Sequence, residues 1–561
     1  MKRRKFLQSL STVGAASALS PDMVFGRSVP NAQYISLHPF IAANPEAVFI
    51  KQTQAVSRID SAGKHTAGKN LARQLFVTSD NGGMPISTLM AIKPNATCLQ
   101  GPAIDDRLGI VTDPDFMEGW IRGMLDLGLQ GEQIYMREGN LLRDAYCPDN
   151  QARTWYDRIA ADTGSHLVDF DSGRDMTARG VARENLTEGT EVIWRDLPDG
   201  VVFRRIGFLA PLNADNAYNI NISKFKAHGM GMTLCAKNWQ GTNIAPHLHY
   251  CMSVPRQFDR GLPAGHINPS YRSDVFTLFR QHLEAGVPRW DRPGDLDTWN
   301  SGPGMEMWSQ KTLDNLAASN PGLHVIEGVY GRDGNWMDGP WVNGQLDVNI
   351  ASGRGNARDF MTNVVIFGLN PLKVDMVGFW LSGHEPGNVG LFHSGRDRGL
   401  TDRINPHSVP TYLWNDDGPE LVALSSLERT PILTYSMQRD YDGQTEPRWH
   451  LMNEPYEYAD DPITAVTSTE GARPEAKVLG QNYPNPFNPA TTIQFSLPQA
   501  TDVRLEIYNN AGQLVEVLTD GHRAAGTHAV SWDAGRRASG TYFYRLVTPG
   551  FQETRKMVLV R

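Results

Sequence analysis

The sequence predicts an α/β protein with a mixed or parallel sheet core and flanking helices, followed by a small all-β immunoglobulin-like sandwich. The first part is indicated by a buried strand, an amphipathic helix and a second strand in direct succession at residues 87–137. The second part is indicated by a change of texture at residue 479, after which short alternating strands are separated by Gly and Asn turns. At 561 residues, the chain is long enough for several such units.

Charge is unevenly distributed along the chain. The formal net charge is −8 at pH 7, and residues 28–477 alone carry 40 Lys+Arg against 54 Asp+Glu, a net charge of −14. A protein with so acidic a central part does not match the basic surface that binds a phosphate backbone. Nucleic acid is therefore not an expected partner.

The amino-terminal residues 1–27 have the features of an export signal. An Arg-Arg pair at 3–4 precedes an Ala/Ser-rich apolar stretch at 10–19. This arrangement resembles a twin-arginine signal, which implies the twin-arginine translocase as a partner. The apolar stretch is much shorter than the ~20 residues of a membrane-spanning helix, so no transmembrane segment is expected in the mature chain.

The first α/β unit places polar residues at the end of a strand. Residues 87–92 form a predicted strand that ends at Lys93, and Asp113 is placed to cap the helix that follows. Residues 133–137 form the next predicted strand. A strand, helix and strand of this length predict a right-handed parallel crossover, with functional loops at the carboxyl ends of the strands. Lys93 and Asn95 lie at such an end.

Further segments show helical or strand periodicity. A mixed series of this kind predicts a sheet with helices packed on it. The predicted helices are 62–75, 273–285 and 310–318, and the predicted strands are 191–194, 201–208, 324–328 and 363–368.

Residues 222–241 place three lysines, one histidine and one asparagine among apolar or small residues. If the first part is extended, Lys224, Lys226 and His228 share one face of a strand. Glycines follow, and a helix is expected to begin near residue 233, so that strand, turn and helix N-terminus form an anion-binding concavity. The helix would bring two more polar residues to this place: Lys237 and Asn238.

This stretch resembles the signature of the domain of unknown function 362 family, Lys-x-Lys-x-His followed by a glycine-containing gap and Thr-Leu-x-x-Lys-Asn-x-x-Gly. The Ile-Lys-Pro-Asn motif at 92–95, the Asn-Pro pair at 370–371 and Arg-Gly-Leu at 398–400 agree with it. The glycine-rich loop at 331–340 also agrees, although it contains extra residues. The resemblance covers about residues 85–400 and implies no particular reaction.

The cysteines bear on cofactors and on the redox state. Many members of that family carry ferredoxin-like cysteine runs, whereas this chain has only Cys98, Cys147, Cys235 and Cys251 and no C-x-x-C pair. No iron–sulfur cluster is therefore expected. One or two disulfides and four free thiols both remain open.

The polar residues at the predicted strand ends indicate a positively charged cleft for a small anionic ligand such as phosphate or carboxylate. His228 would act as a general base with its pKa lowered by neighbouring lysines, or would instead be a structural histidine bonded to the backbone. The lysines have an alternative role as ion-pair partners of Glu327, Asp333 or Asp375. The expected catalytic residues are His228, Lys224, Lys237 and Asp375, and the expected ligand-binding residues are Lys93, Asn95, Lys226 and Asn238.

A metal site is a second hypothesis. His247 and His249 would project to the same face of a strand, and His384 and His393 lie in the last block of the family resemblance. These four histidines are the metal-ligand candidates. The glycine-rich segments match no Walker or dinucleotide pattern, and no Gly-x-Ser-x-Gly elbow is present.

The carboxyl-terminal part has its own motifs. An acidic, Ser/Thr/Pro-bearing linker is predicted at 458–476 between an α/β domain at 28–457 and a sandwich at 477–561. The sandwich contains Asn-Tyr-Pro-Asn-Pro-Phe-Asn-Pro at 482–489 and ends in Lys-Met-Val-Leu-Val at 556–560. It resembles the type A sorting domain of type IX secretion cargo, which implies the type IX machinery as a partner and the cell surface or medium as the destination. An ordinary adhesion module is the alternative.

These observations favour an exported protein with a Lys/His cleft that binds an anion or performs catalysis. A surface binding or structural protein without catalysis and a His/carboxylate metal-dependent enzyme are the alternatives. The identity of any substrate is not indicated by the sequence.

Overall fold

The structure is a computed structural model of the 561-residue chain. It describes residues 32–97, 109–139, 150–167, 186–228, 231–244, 265–287, 294–296, 301–333, 341–342, 345–346, 348–349, 354–355, 359–429, 438–441, 444–447, 455–458, 478–479, 482, 487, 489–510, 512–523, 526–535 and 537–559. The predicted signal at 1–27 lies outside these residues. So do residues 459–476 of the predicted linker.

The chain forms two compact units, Met1–Ile463 and Thr464–Arg561, which we call the body and the tail. The body is an α/β unit and the tail is all-β, which confirms the predicted fold class. The helices described in the body are α1 Pro39–Ala43, α2 Ser61–Leu75, α3 Pro114–Asp126, α4 Gln151–Thr163, α5 Cys235–Trp239, α6 Tyr271–Glu284, α7 Gly302–Ala317, α8 Pro371–Leu381 and α9 Gly390–Asp397.

Strands in the body belong to one large mixed sheet and several small ones. The strands described are β1 Tyr34–Leu37, β2 Val48–Gln52, β3 Phe76–Ser79, β4 Met84–Pro85, β5 Leu89–Pro94, β6 Ile134–Met136, β7 His166–Leu167, β8 Val192–Asp196, β9 Arg205–Leu209, β10 Ala217–His228, β11 Gly231–Thr233, β12 Gly322–Arg332, β13 Trp341–Val342, β14 Gln345–Leu346, β15 Val348–Asn349, β16 Arg354–Gly355, β17 Asp359–Gly368, β18 Thr411–Asn415, β19 Gly418–Val422, β20 Gln438–Tyr441 and β21 Gln444–Pro447.

The large sheet has the strand order β19-β18-β2-β17-β12-β10-β5-β6-β7, and β11 pairs with β10. The five strands β12, β10, β5, β6 and β7 run parallel to one another, whereas β17 runs antiparallel to both β12 and β2. The predicted parallel crossover from β5 through α3 to β6 is present. Because β5, β6, β10 and β12 run parallel to one another, their carboxyl ends lie at the same edge of the sheet.

Some predicted boundaries differ from the structure. Helix α7 begins at Gly302 rather than at residue 310, because Ser301 caps it by accepting a hydrogen bond from Gly304 N at 2.9 Å and Pro303 fits the first turn. The strand predicted at 201–208 begins only at Arg205 and forms a hairpin with β8 outside the large sheet. Amphipathic patterning marks such strands but does not reveal which sheet they join.

Helix α3 begins where the sequence predicts. The Asp113 side chain accepts hydrogen bonds from Asp115 N at 2.9 Å and Phe116 N at 3.1 Å, and Pro114 occupies the first turn. The same Asp113 also faces the large sheet, as described with the candidate site. The cap therefore fixes a buried carboxylate at one face of the sheet.

Helices α2 and α3 cross closely through glycines. A methyl group at Gly68 would lie 2.1 Å from the Phe116 carbonyl oxygen, and one at Gly119 would lie 2.0 Å from the His65 carbonyl oxygen. Only glycine permits backbones to approach this closely. The close crossing brings Lys64 of α2 to the amino-terminal end of α3.

Apolar side chains cover both faces of the large sheet. Phe49, Ile92, Ile222 and Val325 belong to the core on the α2/α3 face, and Ile50, Phe225, Ile326 and Ile366 belong to a second core on the α8 face. Burial on two faces explains the nearly continuous apolar runs in β2, β5 and β17. None of the helices in the described part of the chain combines the length and apolar character needed to cross a bilayer.

The strands described in the tail are β22 Val478–Leu479, β23 Ala490–Leu497, β24 Thr501–Asn509, β25 Leu514–Arg523, β26 Gly526–Asp533, β27 Gly540–Thr548 and β28 Phe551–Leu559. They form two antiparallel sheets, with the strand orders β22-β23-β26 and β25-β24-β27-β28. Alternate apolar residues such as Leu505, Ile507, Tyr544 and Leu546 are buried between the sheets. This agrees with the predicted sandwich.

Candidate functional site

Charged side chains are buried where the parallel strands β5, β10 and β12 end. Lys93, Lys224 and Glu327 each have a relative exposure of 0%, although charged groups of this kind are almost never fully buried unless paired. An unpaired buried charge would oppose folding strongly. The contacts of each charge therefore decide what it can do.

Lys93 is the last residue but one of β5, and its ammonium group has three hydrogen-bond acceptors. Its Nζ donates to Glu138 Oε2 at 2.7 Å, to Asn238 Oδ1 at 3.0 Å and to the Pro94 carbonyl oxygen at 2.7 Å. Asn95 Nδ2 also donates to Asn238 Oδ1, at 3.0 Å. Lys93, Asn95 and Asn238 thus contact one another together with a carboxylate, and their assignment to ligand binding remains a prediction.

Asn238 fastens the short helix α5 to the sheet. Its Nδ2 donates to Asn221 Oδ1 of β10 at 2.7 Å, and Asn221 Nδ2 donates to the Cys235 carbonyl oxygen at 2.9 Å. Asn221 also lies 3.2 Å from His324 Nδ1 of β12. Burial lowers the pKa of His324 to about 3, so this ring is neutral at pH 7. The amides therefore position α5 without adding charge.

Asp375 of α8 caps the amino-terminal end of α5. One carboxylate oxygen accepts from Cys235 N at 2.7 Å and the other accepts from Ala236 N at 2.8 Å. Burial raises the pKa of Asp375 to about 7, although the two backbone hydrogen bonds act in the opposite direction. The residue predicted to be catalytic is placed here as a helix cap, and its assignment to catalysis remains a prediction.

Lys224 makes a buried ion pair with one of the carboxylates considered as its partner. Its Nζ donates to Glu327 Oε2 at 2.7 Å and lies 3.5 Å from the centre of the Tyr330 ring. Glu327 also accepts from Asp113 N at 3.1 Å and from Val329 N at 3.0 Å. Burial raises the pKa of Glu327 and Lys224 opposes that increase. This lysine has the contacts of a structural ion pair.

Asp113 extends this network to α2. Its Oδ2 accepts from Lys64 Nζ at 2.8 Å and from the Tyr330 hydroxyl at 2.7 Å. Lys64 also lies 3.0 Å from Asp115 Oδ2 and is 1% exposed. Two lysines and two buried carboxylates thus share one enclosed volume against the sheet.

The two networks lie on opposite faces of the sheet. Asn221 pairs in register with Lys93, and their side chains project to the same face. Lys224 is three positions further along β10, so its side chain leaves from the other face. The single cleft expected for Lys93 and Lys224 is therefore divided by the strand itself.

His228 lies at the carboxyl end of β10, beyond these ion pairs, and is half-buried. Burial lowers the pKa of His228 well below its usual range, and the charges of Lys237 and Lys226 lower it further. The exposed fractions of Lys226 and Lys237 are only 4% and 9%, and Lys226 Nζ donates to the Ile110 carbonyl oxygen at 2.6 Å. This end of the sheet combines a neutral imidazole with two nearby cations, which we call the lysine edge.

Comparison with protein-family models places residues 90–379 in the domain of unknown function 362 (DUF362). The match spans more than half of the 561-residue chain. The chain belongs to the DUF362 family. Residues 481–560 match the secretion system C-terminal sorting domain. The protein is therefore cargo of the type IX machinery and is exported to the cell surface or the extracellular space.

No curated protein matches the chain. Two solved structures match part of it: dimeric latent PorU and PorZ, a surface component of the type IX secretion system, both from Porphyromonas gingivalis. Each is 24% identical to this chain over 15% of its length. The match covers 9% of PorU and 11% of PorZ, with TM-scores of 0.14 and 0.12 respectively. The activity of either protein therefore carries nothing over to this chain.

The DUF362 signature residues do not all meet at one point. Lys226, His228 and Lys237 form the lysine edge, whereas Lys93 and Asn238 belong to the network around Glu138. Glu138 was missed by sequence reasoning. Glu138 follows β6 at the same edge of the sheet as Lys93. Because the carboxyl ends of neighbouring parallel strands lie together, the end of the predicted strand before Glu138 was the signal that could have identified it.

The predicted metal ligands do not form a described cluster. His247 and His249 lie outside the described residues, and His393 Nε2 lies 2.8 Å from the Gly387 carbonyl oxygen. His384 is buried next to Phe379. Among the residues that the structure describes, no group of three or more His, Cys, Asp or Glu side chains has metal-binding geometry. The metal hypothesis remains a prediction.

Gly241 gives a test of the Lys93 network. A methyl group at this position would lie 2.5 Å from Glu138 Oε1 and 2.8 Å from Lys93 Nζ. We expect Gly241→Ala to lower the free energy of unfolding of the body by roughly 1–3 kcal/mol, because the ion pair must move to make room. Urea unfolding monitored by tryptophan fluorescence measures the change. An unaltered midpoint would show that the pair does not fill this space.

Proposed function

We propose that the body of this exported DUF362 protein binds a small oxyanion, phosphate or carboxylate, at the lysine edge. The observation that carries the proposal is the pair of cations Lys226 and Lys237 beside the half-buried His228. Burial lowers the pKa of the histidine and the charges of both lysines lower it further, so the positive potential of the lysines reaches the ring. An anion placed there would be attracted by both lysines in a locally dry environment.

His228 supplies the chemistry of this proposal. With its pKa well below the usual range, the imidazole is neutral at pH 7 and is able to accept a proton. A bound anion neutralises part of the lysine charge and favours the imidazolium form. Binding should therefore be coupled to proton uptake by His228. While it is neutral the ring is able to act as a general base toward a bound substrate, and once protonated it would act as a general acid.

We expect Lys237→Met in the full mature chain to weaken the binding of inorganic phosphate at this edge by tenfold or more, roughly the effect of losing one charge-assisted contact. Isothermal titration calorimetry measures the affinity. Lys69→Met is the matched control, because Lys69 pairs with Asp126 on the body surface. Equal affinity in wild type and Lys237→Met would contradict the proposal.

Proton uptake separates binding at His228 from non-specific attraction. Calorimetry in two buffers of different ionisation enthalpy should show that wild type takes up more protons than His228→Gln on phosphate binding below pH 7, because the ionisation of phosphate itself is common to both proteins. The glutamine keeps a hydrogen-bonding side chain but has no titratable group in this range. Equal proton uptake by the two proteins would show that the histidine does not take part.

A further inference from the structure

Arg137 is a buried cation that the lysine edge does not include. It directly follows β6, and its backbone N–H donates to the Ile92 carbonyl oxygen at 2.8 Å, which holds it at the carboxyl edge of the sheet. Its relative exposure is 8%. Arginine keeps its charge under all ordinary conditions, so the protein buries a permanent positive charge here.

Among the described residues, the contacts of the Arg137 guanidinium contain no anion. Nε donates to the Ala210 carbonyl oxygen, and Nη1 donates to the carbonyl oxygens of Met136 at 3.2 Å and His166 at 3.5 Å. The Tyr135 ring lies 4.8 Å from Cζ. Among the described residues, no carboxylate lies within ion-pair distance of this guanidinium. Carbonyl dipoles and one ring are the groups that offset its charge.

This environment differs from that of the other buried cations nearby. Lys93, Lys224 and Lys64 each lie within 2.7–2.8 Å of a carboxylate oxygen. Burial lowers the pKa of Arg137 to about 10, which reflects the cost of its lost hydration. A buried charge that is oriented by three carbonyls, but not neutralised, is preorganised to receive an anion.

One nitrogen of the fork remains for a ligand. Nη2 makes no hydrogen bond within the described part of the chain, while Nε and Nη1 fix the plane of the guanidinium. The guanidinium lies over the Tyr135 ring, which stacks on the exposed His166 at a centroid distance of 4.5 Å.

We propose that Arg137, with Tyr135 and His166 beside it, forms a second oxyanion site that takes one oxygen of a carboxylate or phosphate group on Nη2. The site uses none of the residues of the lysine edge. It stands on a buried guanidinium that has no carboxylate partner, and an Nη2 that has no acceptor, within the described part of the chain, so it does not depend on the function proposed above.

The test uses the full mature chain carrying Lys237→Met, so that the lysine edge is weakened before the second site is measured. Inorganic phosphate and acetate are the two probes, and calorimetry gives the affinity. We expect saturable binding of at least one probe, and we expect adding Arg137→Gln to weaken it by roughly tenfold or more. Stronger binding of acetate would identify a carboxylate ligand, and stronger binding of phosphate would identify a phosphoryl group.

Arg122→Gln is the matched control, because Arg122 pairs with Glu118 one helical turn away on α3. It should leave the affinity unchanged. Saturable binding that is equal in the Arg137→Gln and Arg122→Gln chains would overturn the proposal. So would the absence of binding of both probes to the Lys237→Met chain.

A measurement on the wild-type protein covers the case in which Arg137→Gln does not fold. Phenylglyoxal modifies accessible guanidinium groups, and peptide mass spectrometry reports each arginine separately. The better-bound probe should slow modification of Arg137 relative to Arg122. Equal slowing of both arginines would overturn the proposal, because it would show an effect of the anion on the reagent alone.

Discussion

Replacing Lys224 with Met is expected to lower the free energy of unfolding of the body by about 3–5 kcal/mol, the range found when one partner of a buried ion pair is removed. The substitution keeps the aliphatic stem against Tyr330 and removes only the ammonium group. Glu327 would remain 0% exposed without its cation. Urea unfolding of the full chain at pH 7 measures the loss.

The loss of stability caused by Lys224→Met should also depend on pH. Without the lysine, burial raises the pKa of Glu327 further, so the folded state holds a proton on this carboxyl that the unfolded state releases. The unfolded state is then favoured as the pH rises above the ordinary pKa of glutamate, and the destabilisation grows in that direction. A loss that is independent of pH would contradict this origin.

Two further variants test whether the missing charge is the cause. Glu327→Gln keeps an oxygen that can accept from Asp113 N or Val329 N, so Lys224→Met combined with Glu327→Gln should regain a large part of the lost stability. Lys69→Met on the surface should change the stability by less than about 1 kcal/mol. A stability of Lys224→Met equal to that of the surface variant would show that the pair contributes little.

The regular elements of the body were predictable because their apolar spacing is local. The stripe that begins at Phe116 has the period of one helical face, and Asp113 with Pro114 marks its start. The tail was predictable for the same reason, since its strands alternate with turn residues. The hairpin of β8 and β9 shows the limit: strand character is local, whereas membership of a sheet is set by distant partners.

The ion pairs were harder to predict because their partners are far apart in sequence. Lys93 and Glu138 are 45 positions apart, and Lys224 and Glu327 are 103 positions apart. A charged residue carries no periodic signal that identifies its partner. Glu327 could be considered because it ends a predicted strand, whereas Glu138 was missed although it follows another one.

The strand that carries the expected anion cleft was predicted correctly. How deeply each side chain on its two faces lies was not. Alternation puts Lys224, Lys226 and His228 on one face of β10, and the structure keeps these residues in one continuous strand. What sequence cannot supply is the depth at which each side chain lies. Lys224 meets Glu327 in the interior, while His228 at the strand end keeps part of its surface open. Position along the strand therefore separates a stabilising lysine from the proposed ligand site.

The last prediction concerns Asp375, whose buried carboxyl should make the body less stable as the pH rises from about 4 to 7. Its folded-state pKa is raised from 3.8 to about 7, so over this interval the unfolded state releases a proton that the folded state retains. Each increase in pH within this interval favours the unfolded state, and the total loss in the free energy of unfolding is on the order of 4 kcal/mol. This loss of stability is complete above the pKa of Asp375 in the folded state and absent below its pKa in the unfolded state.

Asp375→Asn removes this titration while keeping one oxygen that can accept from Cys235 N or Ala236 N. Loss of the acceptor of one backbone N–H lowers the stability of the variant by a contribution of roughly 1–3 kcal/mol that does not change with pH. Relative to wild type, however, it should gain stability steadily between about pH 4 and pH 7. Urea unfolding at several pH values gives the difference in free energy of unfolding between the two proteins. Histidines common to both titrate alike, so their contributions cancel in this difference. A constant difference across the interval would show that Asp375 ionises at its ordinary pKa, and that the cap of α5 is a charged carboxylate throughout.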